Sequence, residues 1–245
     1  MSYFQTRNYG LEVARGAISG QTGINKFGRN PDVDVGTEDV WGTGGIWIEP
    51  TAATTVAFVS SSAADAAAGT GARTLTVNGL NGSYADTTET LTLNGVTPVN
   101  TSNSYFIIHR VTVATAGSGG TNAGTITTAW TGGGTPVGPS IVIGKGQTQF
   151  CIYQIPAGLN GYLSSFGGSY SGASTSNITL ELFAKPFGGA WNLKGSMDLA
   201  EQGTTFARRT YDTPLKFTEK TIIKVTATSD TVNSDVVASF DLITL

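Results

Sequence analysis

Two short runs in the first half of the chain alternate apolar residues with threonine and end in Asn-Gly pairs. In ARTLTVNGL, Leu75 and Val77 alternate with threonines, and in TETLTLNGV, Leu91 and Leu93 do the same. A period of two places successive side chains on opposite faces of a strand. Asn-Gly favours tight turns because glycine accepts a positive φ. This pattern predicts β-strands with one buried face, and it constrains the fold more than any other feature.

The same alternation continues to the end of the chain and predicts eight or more strands in all. The runs that are typical of strands are YFIIHRVTV, SIVIGKG, QTQFCIYQIP, NITLELFAKP, KTIIKVTATS and VVASFDLITL. Turns rich in Gly, Ser and Thr separate them, as expected for a sandwich or a barrel. We therefore predict an all-β protein with a β-sandwich or jelly-roll-like domain. The best short helical candidate is MDLAEQ, residues 197–202.

Residues 1–48 differ from the rest of the chain because no period of 2 or 3.6 persists in them. The segment holds both charge signs and several glycines and asparagines, yet it also carries large side chains with few apolar neighbours. Trp and Arg dominate the residues that contribute most to binding at interfaces. We predict an N-terminal arm for attachment, with partner contacts through Phe27, Arg29, Trp41 and Trp47. The alternative is an irregular opening segment that packs on its own domain.

The remaining residues, 49–245, are predicted to form the β-sandwich domain. The stretch TGGGTPVGP marks a candidate sub-division near residues 131–139, because a Gly- and Pro-rich run suits either a linker or a long turn. If the arm and the β-domain are separate, deletion of residues 1–45 leaves a folded domain that no longer joins its partner.

Composition limits the kinds of partner that the protein can have. Charged residues make up only 13% of the chain, the net charge is −3 and no basic stripe is present, so we predict no nucleic-acid partner. No run is long and apolar enough to span a bilayer and no signal peptide is visible, so we predict no membrane partner. A single cysteine, Cys151, excludes an intrachain disulfide and is interpreted as a small core residue, as expected in a reducing cytosol.

The sequence offers few residues for catalysis. His109 is the single histidine and lies on the apolar face of a strand run, which favours a core or interface residue over a general base. The stretch GSGGTNAG (117–124) lacks the ending of a phosphate-binding P-loop and is interpreted as a sandwich loop. The acidic run NPDVDVGTED lacks the ligand order of an EF-hand. We therefore predict no catalytic residues, no metal site and no cofactor.

Three stretches together resemble virion structural proteins of tailed bacteriophages. They are INKFGRNPDVDVGTEDVW, the region from GTGARTLTVNGLNGSYADTTETLTLNGV to TNAGTIT, and IPAGLNGYL with the strand-rich end that follows it. The resemblance spans most of the chain and carries no catalytic residues. It implies an oligomeric β-sandwich or jelly-roll-like protomer in a capsid, neck or tail.

These observations lead to three hypotheses. The first is a non-enzymatic capsid decoration, vertex or head-fibre protein, a homo-oligomer for which a trimer is expected, assembled in the host bacterial cytoplasm. Its partners would be the major capsid protein or neck and tail proteins, and a neck or tail component is the close alternative. The second is a receptor- or glycan-binding tip, which requires exposed aromatic side chains beside Asn or Asp. The third is a tail-associated enzyme, which requires a cleft holding His109 or a carboxylate pair with shifted pKa values.

Overall fold

The computed structural model describes residues 8–132, 137–172, 177–200 and 205–245, and these residues are almost entirely β. One short helix, α1 (Tyr9–Ala14), begins at Asn8, whose side chain accepts a hydrogen bond from the Leu11 amide. The strands are β1 (Thr22–Val33), β2 (Gly36–Asp39), β3 (Val56–Ser60), β4 (Ala72–Leu80), β5 (Asp86–Thr92), β6 (Val99–Asn100), β7 (Ile107–Ala116), β8 (Ile126–Trp130), β9 (Ile152–Gln154), β10 (Gly161–Ser171), β11 (Asn177–Lys185), β12 (Asn192–Ala200), β13 (Phe206–Phe217), β14 (Ile222–Ser229) and β15 (Ser234–Thr244). The prediction of an all-β protein is confirmed.

Strands β3 to β8 form a first, smaller sandwich. One sheet has the order β6-β3-β8 and the other has the order β5-β4-β7. The alternation of β4 agrees with the sequence prediction, because Leu75 and Val77 are fully buried while the threonine between them is not. Facing residues from the other sheet, such as Phe58 and Ile126, close the core.

The second sandwich contains the remaining strands and is interrupted by the first. Its sheets have the orders β1-β15-β10-β13 and β12-β11-β14-β9, with antiparallel pairing throughout these ladders. The two inner faces share one core that includes Phe166, Leu180, Val225 and Phe240. The first sandwich is thus an insertion between β2 and β9. The sequence offered a sub-division near residues 131–139 but did not indicate an insertion.

The predicted N-terminal arm is wrong for residues 22–41, which contain β1, β2 and the β-bridges at Val35 and Trp41. Strand β1 pairs with β15 from Thr22 opposite Thr244 to Val33 opposite Ser234. The sequence does not reveal the alternation of β1, because Lys26, Gly28 and Asn30 occupy successive inward positions in its middle and none of them is a large apolar residue. Glycine is required at position 28, since a Cβ there would lie 2.1 Å from the Val40 carbonyl oxygen.

An aromatic cluster joins the two sandwiches. Trp41 and Trp47 pack on Phe150, with ring centroids 5.9 and 6.0 Å apart. The same cluster includes Leu80, Phe106 and Ile107 from the first sandwich and Ile152 and Ile222 from the second. The two sandwiches therefore share buried apolar surface, which resists their separation.

Several local predictions differ from the structure. MDLAEQ is not a helix, because residues 197–200 end β12, and residues 201–202 lie outside the described part. SIVIGKG forms no strand but only an isolated bridge at Ile141. Asn78-Gly79 lies inside β4 at a register shift instead of in a turn. The predicted sub-division at 131–139 falls after β8, and its residues 133–136 lie outside the described part.

A buried carboxylate holds the glycine-rich loop that follows β7. Asp65 is fully buried, and it accepts hydrogen bonds from the Ser60 hydroxyl at 2.6 Å and from the amides of Ala72, Ala123 and Gly124 at 2.7–2.9 Å. Burial by itself would raise the pKa of Asp65, but these hydrogen bonds outweigh it and lower the pKa below its ordinary value. The stretch 117–124 is therefore a loop linking the two sheets of the first sandwich, as predicted.

The substitution Asp65→Asn is expected to destabilise the protein at neutral pH. The new carboxamide has a single acceptor oxygen and cannot accept all four bonds, so buried amides lose their partner at a cost of about 3 kcal/mol. Because the folded pKa of Asp65 is depressed, its contribution is present above the pKa of the unfolded chain, about 4. It is lost as the pH falls through the folded value.

Urea unfolding of wild type and Asp65→Asn between pH 2 and pH 7 measures this difference. The difference in the free energy of unfolding between the two proteins is expected to decrease as the pH falls. Asp212→Asn, at an exposed position of β13, is the matched control. This substitution is expected to leave the free energy of unfolding almost unchanged. An equal effect of the two substitutions at pH 7 would contradict the role of Asp65.

Candidate functional site

The four residues predicted to contact a partner are each engaged within the chain. The ring of Phe27 lies 5.7 Å from the Arg110 guanidinium. Arg29 donates two hydrogen bonds to the Asp235 carboxylate, at 2.8 and 2.6 Å. Trp41 and Trp47 are only 3% and 4% exposed. Because their side chains fill the aromatic cluster, the two tryptophans are not available as docking anchors in this structure, and that part of the prediction is corrected.

The acidic run after β1 holds the fold together rather than forming a cation loop. Asp39 is fully buried; one carboxylate oxygen lies 2.7 Å from the Lys224 ammonium, and the other accepts the Trp47 amide. Burial raises the pKa of Asp39, although the charge of Lys224 opposes the shift. Glu38 accepts hydrogen bonds from the Asn30 side chain and the Gly45 amide. Among the described residues no group of three potential ligands is placed to hold a metal ion.

His109 lies in a crevice between the two sandwiches. The crevice consists of two adjoining cavities of about 240 and 280 Å³, and both are lined by Ile24, Asn78, Asp86, His109 and Tyr153. Strands β1 and β9 supply one wall, and β4, β5 and β7 supply the other. The sequence placed His109 on a strand, but only the tertiary structure brings these five strands together.

The imidazole of His109 is already engaged in this crevice. Its Nε2 accepts a hydrogen bond from the Gln154 amide at 3.2 Å, and its ring lies 4.2 Å from that of Tyr153. Burial, with the charge of Lys26 nearby, lowers the pKa of His109 well below its ordinary value. The ring is therefore neutral at pH 7 and its lone pair is used structurally, which favours the interface interpretation over a general base.

Two cations line the same crevice. Lys26 is 3% exposed, and its ammonium donates a hydrogen bond to the His109 carbonyl oxygen. Burial, together with the charge of Arg110, lowers the pKa of Lys26 to about 7. Burial also lowers the pKa of Arg110. Sequence reasoning missed Lys26, because nothing in INKFG indicates that this lysine faces inward.

A second candidate site is an apolar patch on the hairpin between β11 and β12, which we call the hairpin patch and define as Phe187, Trp191 and Leu193. These side chains are 61%, 36% and 51% exposed. The ring of Phe187 meets that of Tyr84 from the first sandwich at 5.5 Å, and Lys224 lies 4.7 Å from the Trp191 ring. In the sequence, the run KPFGGAWNL indicates this patch, since large apolar residues flank a Gly-Gly turn that follows a proline.

The hairpin patch adjoins an open side of the second sandwich. Strand β12 pairs only with β11 and β13 pairs only with β10, so both are edge strands among the described residues. Most side chains of β13 are exposed, and its register shifts between the pairs Leu163–Leu215 and Ser165–Thr210. An irregular, charged edge with a proline discourages pairing with another strand. Side-chain contact is thus the more suitable mode of association for this surface.

Comparisons with known proteins give little further guidance. No protein-family model matches the chain, and no curated protein matches it. Among solved structures, it is similar to the VP2 subviral particle of infectious bursal disease virus, with 10% identity, a TM-score of 0.21 and coverage of 93% of this chain and 73% of that one. The structure of the Gt strain of that virus gives 10% identity, a TM-score of 0.19 and coverages of 92% and 76%. Likeness at this level carries no argument about function.

No helix among the described residues is long and apolar enough to cross a membrane.

Substitution of Lys26 by Met is expected to change how stability depends on pH. The folded pKa of Lys26, about 7, lies below that of an unfolded lysine, about 10.4. Between these values the unfolded chain binds more protons, so Lys26 makes stability rise with pH in this window. The variant is expected to lack this contribution, as measured by urea unfolding from pH 6.5 to 10.

The difference between the two curves reports the titration of Lys26 together with its effect on the pKa values of His109 and Cys151, because the other groups around it are present in both proteins. These are His109 and Arg110 on β7, Asp86 on β5, Tyr153 on β9 and the adjacent Cys151, whose pKa burial raises to about 12. Lys194→Met, at an exposed position of β12, is the control. If the free energy of unfolding depended on pH in the same way for wild type and Lys26→Met, Lys26 would not be buried as a neutral amine.

Proposed function

We propose that this protein is a non-enzymatic structural component of a tailed-phage virion: a capsid decoration, vertex or head-fibre protein that forms a homo-oligomer. Three sequence stretches that resemble virion structural proteins support this proposal, as does the all-β fold. The observation that carries it is the hairpin patch, a set of exposed apolar side chains beside two edge strands. A neck or tail component, or a receptor- or glycan-binding tip, is the alternative placement.

The hairpin patch has the properties of a contact surface between proteins. Its aromatic side chains belong to the types that contribute most at interfaces. The ring of Phe187 contacts that of Tyr84, and the Lys220 ammonium lies 5.0 Å from the Phe187 ring. An aromatic side chain that such contacts already hold in place loses little conformational entropy on binding, which increases the affinity that it can provide. We propose that this patch contacts a neighbouring subunit, either another copy of this chain or the major capsid protein.

Attachment by the N-terminus is proposed for the residues before β1. In α1, Val13 is buried against the fold, whereas Tyr9 and Leu11 are 51% and 59% exposed. These two side chains can contact a partner without disturbing the sheets. The proposal thus transfers the attachment role from Trp41 and Trp47, which are buried, to the segment that ends at residue 21.

The double variant Phe187→Ser/Trp191→Ser is expected to fold normally but to be lost from purified particles. The measurement is quantitative mass spectrometry of particles, scored against the major capsid protein. A ratio near parity for wild type supports lattice-wide decoration, and a much lower ratio supports a vertex, neck or tail position. Val96→Ser is the matched control, since Val96 is similarly exposed at 60% but lies between β5 and β6 of the first sandwich. Absence of the wild-type chain from particles would overturn the virion proposal.

Two truncations separate attachment from folding. Removal of residues 2–20 is expected to leave a cooperatively folded protein that incorporates poorly into particles. Removal of residues 2–45 is expected to prevent folding, because it deletes β1, Asp39 and Trp41. Circular dichroism and thermal unfolding report folding, and particle mass spectrometry reports incorporation. Full incorporation of the shorter truncation would exclude the N-terminal segment as the attachment site.

A further inference from the structure

Two basic side chains and one carboxyl group, that of Asp86, line the crevice between the sandwiches. Lys26 and Arg110 both line the cavity of about 240 Å³. Among the described residues neither cation has a carboxylate within 4.0 Å, whereas the other buried lysine, Lys224, is paired with Asp39 at 2.7 Å. Burial of a basic group without an opposite charge disfavours its charged form, and a bound anion would offset this effect.

Both cations keep hydrogen-bonding capacity for a ligand. An ammonium group has three donors and a guanidinium has five. The Lys26 ammonium donates to the His109 carbonyl oxygen, and the Arg110 guanidinium donates to the Asn25 carbonyl oxygen at 2.6 Å. Both acceptors are neutral, and they position the cations without cancelling their charge. The face of Phe27 holds the Arg110 guanidinium in place.

The other residues of the crevice define the chemistry of the ligand. Asn78, Asp86, Thr87 and Thr88 make the neighbouring cavity polar. Asp86 lines both cavities, and burial raises its pKa. Because a carboxylate repels an anion, the anionic group of a ligand would lie beside Lys26 and Arg110 and its hydroxyl groups beside Asp86. A ligand with one anionic group and several hydroxyl groups would satisfy both cavities, whose size suits a small molecule.

We propose that this crevice binds a small organic anion through a carboxylate or phosphate group placed between Lys26 and Arg110. The bound anion would bridge β1 of the second sandwich and β7 of the first, and it would therefore stabilise the junction between them. This inference does not depend on the proposed virion function.

Thermal unfolding of the full-length protein at pH 6.5 tests the site with inorganic phosphate and with acetate, each compared with sodium chloride at equal ionic strength. A saturable rise in Tm with either probe is expected, and the probe that acts identifies the anionic group. Arg110→Gln is expected to weaken binding about tenfold or more, because a charge-assisted hydrogen bond is lost. Arg209→Gln, an exposed residue of β13, is the matched control and is expected to bind as wild type does.

Calorimetric titration supplies a second readout that does not depend on stability. At pH 8 the Lys26 side chain is expected to take up a proton when an anion binds, so the heat should vary with the ionisation enthalpy of the buffer. Lys26→Met is expected to remove this proton uptake. The same Tm response to phosphate, acetate and chloride, or equal affinity in wild type and Arg110→Gln, would overturn the proposal.

Discussion

The pairing of β1 with β15 organises the whole molecule. It joins Thr22 to Thr244 and continues to Val33 opposite Ser234, so nearly the whole chain lies between the paired strands. Because these strands are neighbours in one sheet, the first sandwich becomes an insertion within the second. The free edge of β1 then lies beside β7, and this arrangement creates the crevice that contains Lys26 and His109.

The junction between the sandwiches combines apolar packing with one buried ion pair. Trp41 and Trp47 pack on Phe150 at this junction, while Asp39 and Lys224 anchor the segment that carries the tryptophans. Removal of one partner from such a pair costs about 3–5 kcal/mol, since the other charge stays buried. Residues that resemble docking anchors in the sequence are thus required for the fold, and the exposed aromatic side chains lie instead on the β11–β12 hairpin.

Prediction from the sequence succeeded for several strands whose inward side chains alternate regularly between apolar and polar residues. ARTLTVNGL corresponds to β4, and NITLELFAKP contains β11 almost residue for residue. It failed for β1, in whose middle Lys26, Gly28 and Asn30 occupy successive inward positions. It also failed for the candidate sites, because Lys26 and Arg110 are far apart in the chain and the exposure of Phe187 depends on how one hairpin packs against another sandwich.

The amino-acid pattern alone established the all-β class, because a period of two records which face of a strand meets the core. Of the fifteen described strands it located β4, β5, β7, β9, β11, β14 and β15. It also established that Asn94-Gly95 forms a turn, with glycine at φ +60. The three-dimensional arrangement was needed to show that there are two sandwiches, that the N-terminal segment completes the second, and that a crevice lined by Lys26 and Arg110 lies between them. The physical reason is that pairing and burial join residues distant in sequence, and a local pattern of side chains contains no record of those partners.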